Sequence, residues 1–164
     1  FETLTASTNS APDGSWARTA YTGTSFNTLI ANGTAPRTGT DYAYLGVYNS
    51  ASQSVSSANA VIPAGATNAT LTLYVSIVTN ETTTVTAYDK LNVQLVDAST
   101  GSVLATLGTV SNLNKTATST TYALKSYNAT PYKGRTVKVR FAATTDSSAT
   151  TVFRIDDVSL KSDG

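Results

Sequence analysis

Apolar and polar residues alternate with a period of two along most of this chain, the pattern of strands that bury one face. The alternation is cleanest in "ATLTLYVSIV" (Ala69 to Val78), where Leu71, Leu73, Val75 and Ile77 share a face. "SWARTAY" (Ser15 to Tyr21), "DYAYLGVY" (Asp41 to Tyr48), "QSVSSANAVI" (Gln53 to Ile62), "TYALKSY" (Thr121 to Tyr127), "RTVKVRFAA" (Arg135 to Ala143) and "TVFRIDDVSL" (Thr151 to Leu160) read the same way. "DKLNVQLVD" and "GSVLATLGTV" flank the turn Asp97 to Gly101 and predict a hairpin, with Gly101 available for a positive φ. No stretch sustains a helical period with caps. About ten strands with loops at Pro12-Asp13-Gly14, Gly33 to Gly39, Ile62 to Gly65 and Pro131 to Gly134 predict an all-β antiparallel sandwich of jelly-roll type. With no convincing repeat and no linker-like segment, residues 1–164 read as a single domain.

One strand breaks phase. In "FRIDDVSL", Phe153 and Ile155 alternate, and so do Val158 and Leu160, but the two pairs lie three residues apart. The slip at Asp156-Asp157 reads as a β-bulge, which re-aims two carboxylates beside buried apolar residues. If the first and last strands are neighbours, Glu2 joins Asp156 and Asp157, and three like charges on one patch need a cation. Calcium suits that need, since it takes six to eight hard oxygen ligands and accepts carbonyls freed by a bulge. The alternative pairs one aspartate with Arg154 or Arg140 and leaves the other in solvent.

Composition narrows the function. A net charge of +1 with 13% charged residues provides no basic field for nucleic acid or an anionic membrane. No apolar run reaches the roughly 20 residues of a membrane helix. Cysteine and histidine are both absent, which removes disulfides, thiolate nucleophiles, the usual zinc ligands and the commonest general base. A serine nucleophile would need a lysine base, and no acid pair is singled out as a glycosidase couple, so no enzyme is predicted. Abundant Thr, Ser, Asn and Tyr with scarce Lys and Glu suit an exposed, secreted sheet protein. Asn-x-Thr sequons at Asn32, Asn68, Asn80, Asn114 and Asn128 carry little weight in a chain so rich in threonine.

Together, "FE", "YLG", "VIPAGATNATLTLYVSI", "DKLNVQLVD" with "SNLN", and "YKGRTVKVRFAATTDSS...FRIDDVSL" resemble the jelly-roll carbohydrate-binding modules of secreted bacterial enzymes. They are also similar to the C-terminal domains of sedolisin-type extracellular proteases and of glycoside hydrolases. The resemblance implies a galactose-binding-like fold and a structural calcium held by Glu2 and Asp156, with Asp157 beside them. It also implies a noncatalytic accessory role beside the catalytic domain of a parent enzyme, with an extracellular polysaccharide or other polymer as partner.

Two further groups stand out. Folding the hairpin about its turn sets Asp89 opposite Val110 and Ser111, with Asn112 and Asn114 just beyond, and the loops carrying Glu81 and Asp146 extend toward the same end. Glu81, Asp89, Asn112 and Asp146 are thus a candidate second cation or polar-ligand cluster, against ordinary Asx turns and strand ends. In "DYAYLGVY", Ala43, Leu45 and Val47 make a core face and leave Tyr42, Tyr44 and Tyr48 as a candidate glycan platform, with Gly46 opening a gap between rings. The competing reading buries those rings, and Trp16 likewise reads as core. From a different class, the functional alternative is a protein-contact domain that stabilises a neighbouring catalytic domain and binds no glycan.

Overall fold

The computed structural model describes residues 16–22, 30–32 and 35–163. Among the described residues eleven strands are formed: β1 (Trp16–Thr22), β2 (Ile30–Asn32), β3 (Asp41–Gly46), β4 (Ser52–Ser57), β5 (Ala60–Val61), β6 (Asn68–Thr79), β7 (Lys90–Asp97), β8 (Val103–Ser111), β9 (Ala123–Asn128), β10 (Thr136–Thr144) and β11 (Thr151–Asp163). Helix is confined to single 3-10 turns at Asn112–Asn114 and Thr130–Tyr132 among the described residues. The first sheet runs β1-β4-β10-β7-β8, with β5 also on β10, and the second runs β2-β3-β11-β6-β9. Every pairing is antiparallel. The chain crosses repeatedly between the sheets, so strands close in sequence face each other across the core.

That core is what the period-two pattern builds. Leu45, Leu73, Ile77, Phe153 and Ile155 from the second sheet meet Val55, Leu91, Val93 and Phe141 from the first, all fully buried. Trp16 stacks on Phe141, ring centres 5.5 Å apart, and so belongs with the packing. Because β3, β6 and β11 alternate cleanly, the second sheet's outer face is equally well determined: Tyr42, Tyr44, Arg154, Asp156, Tyr74 and Ser76 lie on it.

The turn between β7 and β8 follows its sequence closely. Gly101 sits at φ +76° and donates its N–H to the Asp97 carbonyl. Asp97 Oδ1 accepts from Ser99 Oγ, Ser99 N and Thr100 N at 2.7, 2.9 and 3.0 Å, and these donors hold its pKa at about 2. Farther up the hairpin the register departs from simple folding about the turn. Bulges between Val93/Gln94 and Leu95/Val96 each add a residue on β8, so the Asp89 carbonyl accepts the Asn112 N–H instead of Asp89 facing Val110 and Ser111. The expected strand Gln53 to Ile62 also divides, into β4 and β5, at Ala58-Asn59.

Candidate functional site

The phase slip in the last strand is a one-residue bulge. Asp156 pairs with Tyr74, Ser159 with Thr72, and Asp157 takes φ +49°. Both carboxylates are fully engaged within the protein. Asp156, 2% exposed, accepts the Asp157 N–H at Oδ1 (2.8 Å) and those of Arg37 and Thr38 at Oδ2 (2.8 and 3.2 Å). Asp157 accepts Thr38 Oγ1 and Arg37 Nη1, each at 2.6 Å. The Arg37 guanidinium lies 3.4 Å above the Tyr74 ring. The bulge therefore staples residues 35–40 onto the second sheet, and among the described residues the guanidinium of Arg37 pairs with Asp157. Neither arginine named from sequence does so: Arg140 Nε donates to Gln94 Oε1, and Arg154 lies over Tyr44. Glu2, the third expected carboxylate, lies outside the described residues.

Of the three tyrosines of the expected row, Tyr42 is buried. Tyr42 is only 2% exposed and meets Tyr44 edge-on, with ring centres 6.2 Å apart, so it packs the outer face instead of presenting an open ring. Gly46 opens no gap. Its φ of +84°, followed by Val47 at +73°, ends β3 and turns Tyr48 off the strand. Tyr48 is anchored beyond it, its carbonyl accepting Thr145 Oγ1 at 2.6 Å. Tyr44 and Tyr48 remain half-buried.

At one end of the sandwich the structure brings Glu81, Asp89 and Asp146 together, with one carboxylate oxygen from each within 4.8 Å of the others. Strand ends place them: Glu81 follows β6, Asp89 precedes β7, and Asp146 follows β10. Asp89, 0% exposed, accepts the Asp146 N–H at 2.9 Å and the Thr151 hydroxyl at 2.5 Å. Since Thr151 gives its one proton to Asp89, the 2.7 Å contact between Thr79 and Thr151 hydroxyls must have Thr79 as donor. Thr79 in turn accepts the Glu81 N–H at 3.0 Å. A directed chain of bonds thus runs from the Glu81 backbone to the Asp89 carboxylate, setting both residues in place.

Asn112 serves this group without joining it. Its Oδ1 accepts the N–H groups of Tyr88 and Asp89 at 2.9 and 3.1 Å, and its Nδ2 donates to the Thr86 carbonyl at 3.0 Å. Its amide therefore positions the segment leading into Asp89. Sequence reasoning missed Thr79 and Thr151, whose only signal is that each ends a strand bordering the cluster, and Arg37, 120 residues from its partner.

Neither ion pair seen among the described residues, Arg37–Asp157 or Arg135–Asp97, reaches the cluster. Glu81 Oε1 is buried without a hydrogen-bond partner among the described residues. Burial, then the Asp146 and Asp89 charges, push the Glu81 carboxyl up. Burial also raises Asp89, opposed by the bonds from Thr151 and the Asp146 N–H and reinforced by the Asp146 charge. Three hard oxygen donors in a confined, cation-poor space could hold a metal ion.

No protein-family model matches this chain, and neither does any curated protein sequence. Among solved structures it is similar to TmCBM61, described in complex with beta-1,4-galactotriose, at 12% sequence identity and a TM-score of 0.57. The match covers 90% of this chain and 88% of that one. The chain has the β-sandwich fold of a carbohydrate-binding module. At that identity the likeness lies in the path of the backbone through both sheets. No helix among the described residues is long and apolar enough to cross a membrane.

Proposed function

We propose that this chain is a noncatalytic carbohydrate-binding module of a secreted enzyme, braced by calcium and holding a neighbouring catalytic domain near a polysaccharide. The observation that carries the reading is the shared fold with TmCBM61, whose bound ligand is a galactooligosaccharide, over nine-tenths of the chain. Support comes also from the lack of histidine and cysteine and from a sequence rich in hydroxyls, amides and tyrosines, groups suited to sugar hydroxyls. The test is a glycan array with polysaccharide pull-down, including β-1,4-galactan, using the full chain. Retention by at least one polysaccharide, competed by its own oligosaccharides, is the expected result. Retention by none, alongside capture by a catalytic domain fused or added in trans, would replace the reading with that of a protein-contact domain.

For the cation, the fitting site is Glu81, Asp89 and Asp146, where an unpartnered buried oxygen and two raised carboxyls mark charge without compensation. Calcium at about a hundred times its dissociation constant should stabilise the fold by about 2.7 kcal/mol, and chelation should remove that gain. The pH dependence has a definite sign. Both folded-state pKa values lie above the ordinary carboxylate values, so without metal the stability these groups contribute falls as pH rises through the raised values. Bound calcium offsets that loss. The calcium-induced rise in melting temperature should therefore be largest near neutrality and shrink as pH falls toward 4. Asp89→Asn, which still accepts from Thr151, should abolish the rise, and an undiminished rise in that variant would move the metal elsewhere.

A further inference from the structure

The bulge aspartates, the acidic cluster and the tyrosines leave one charged group on the outer face of the second sheet unexplained. Arg154 projects there from the first part of β11, beside Tyr44 on β3 and Ser76 on β6. Its Nε and Nη1 are buried, and neither has a hydrogen-bond partner among the described residues. The two ion pairs of the described residues, Arg37–Asp157 and Arg135–Asp97, do not include it. The nearest carboxylate along the strand, Asp156, has both oxygens occupied by backbone N–H groups. What Arg154 does meet is aromatic: its guanidinium carbon lies 5.2 Å from the centre of the Tyr44 ring, and its charge reaches the half-buried Tyr122 phenol.

A guanidinium with buried, unanswered donors is costly for a protein to keep unless something answers them. A tyrosine face returns only part of that cost. The surroundings are built to stay in place. Ser76 Oγ donates to the Ser119 carbonyl at 2.9 Å, Thr116 N to the Ile77 carbonyl at 2.8 Å, and the Tyr122 hydroxyl to the Ala35 carbonyl at 2.6 Å. The segments 115–122 and 35–40 are thereby pinned to the sheet and to each other around the arginine. Arg154 as a residue keeps partial exposure, and Nη2, unlike Nε and Nη1, is not among its buried atoms, so an anion approaching along this face meets the guanidinium at Nη2 without breaking a protein ion pair.

We propose that this face, centred on Arg154, binds the carboxylate of a uronic-acid unit, which makes the ligand an acidic polysaccharide. The inference rests on the carbohydrate-binding reading above and narrows it. A uronate carries its carboxylate beside the pyranose ring, so one unit sets a full negative charge against Arg154 and C–H groups against Tyr44. A neutral sugar offers hydroxyl acceptors alone, which leave the positive charge uncompensated.

The experiment compares retention of the full chain on polygalacturonate with retention on the same polymer after its carboxyl groups have been reduced to alcohols, at several salt concentrations, alongside a neutral glycan panel. Expected is binding to polygalacturonate that is at least tenfold weaker on the reduced polymer and weakens with added salt. Arg154→Met should lose tenfold or more of that binding while its melting temperature holds or rises, because unsatisfied donors are removed; Arg154→Lys should lose less. Equal binding to both polymers, binding to neutral glycans alone, or unchanged binding by a folded Arg154→Met overturns the inference and leaves the carbohydrate reading standing. Failure to bind any glycan in the panel overturns both. Should Arg154→Met not fold, carboxyl reduction and salt dependence with the unaltered chain still decide, and indifference to either counts against the inference.

Discussion

Gly46→Ala should lower stability by about 4 kcal/mol, a large share of the 5–15 kcal/mol that holds a typical domain folded. Two costs combine. At φ +84° an alanine pays about 1–2 kcal/mol for the left-handed backbone alone. Its Cβ would also stand 2.3 Å from the Thr151 carbonyl oxygen and 3.4 Å from Phe153 Cδ2. That carbonyl cannot swing aside, because it accepts the Val47 N–H at 2.9 Å and belongs to a strand paired on both sides. Movement of β3 is opposed too, since Gly46 N donates to the buried Gln53 Oε1 at 2.8 Å. The contact also reaches the acidic cluster, because Thr151 bonds Asp89 through its side chain. Gly101→Ala supplies the control: φ is +76°, but no atom lies within 4 Å of its new Cβ, so only the backbone cost of about 1–2 kcal/mol applies. Urea melts of the two variants side by side decide the matter. Equal losses would mean that β3 and β11 do not approach each other at Gly46 as described.

Gly46 also shows where reading the sequence stops. Alternation marks which residues of a strand share a face but says nothing of where the next strand's backbone runs, so a glycine required by close approach looks like a gap between rings. Tyr42 is misplaced for a related reason: the outer face of a central strand is as easily covered by loops as exposed, and the loops are not in the pattern. The bulge at Asp156 was legible because β11 is central, flanked by β3 and β6, and keeps a strict alternation that a slip disturbs visibly. The two bulges of the β7–β8 hairpin left no such mark, because β8 is an edge strand whose residues are mostly half-exposed or exposed. Glu81, Asp89 and Asp146 could be grouped because strand ends collect at the ends of a sandwich. The Arg37 contact, spanning 120 residues between a loop and a bulge, has no local signal at all.

The two bulge aspartates should respond very differently to substitution, although they are adjacent and carry the same charge. Asp156→Ala removes the acceptor of three backbone N–H groups at a site 2% exposed. Each charge-assisted bond of this kind contributes about 1.5–3 kcal/mol, but burial of the carboxylate outweighs the three bonds enough to push the Asp156 pKa up, and water reaches the freed Arg37 and Thr38 amides in part, so a net loss of about 3 kcal/mol is expected. Residues 35–40 should lose their attachment with it, seen as faster amide exchange at Arg37 and Thr38. Asp157→Asn, by contrast, keeps a side chain that tolerates φ +49° and gives up a pair in which Arg37 and Asp157 are about a third exposed, worth at most about 1 kcal/mol. Burial pushes the Asp157 carboxyl up, but the Thr38 hydroxyl and the Arg37 guanidinium outweigh it and bring the pKa below its usual value. The stability it contributes is therefore present above about pH 4 and is lost as pH falls through the depressed value, a loss that Asp157→Asn should not show. Chemical denaturation of both variants between pH 3 and 7 separates the two roles, and a larger loss for Asp157→Asn than for Asp156→Ala would overturn the assignment of Asp156 as the anchor.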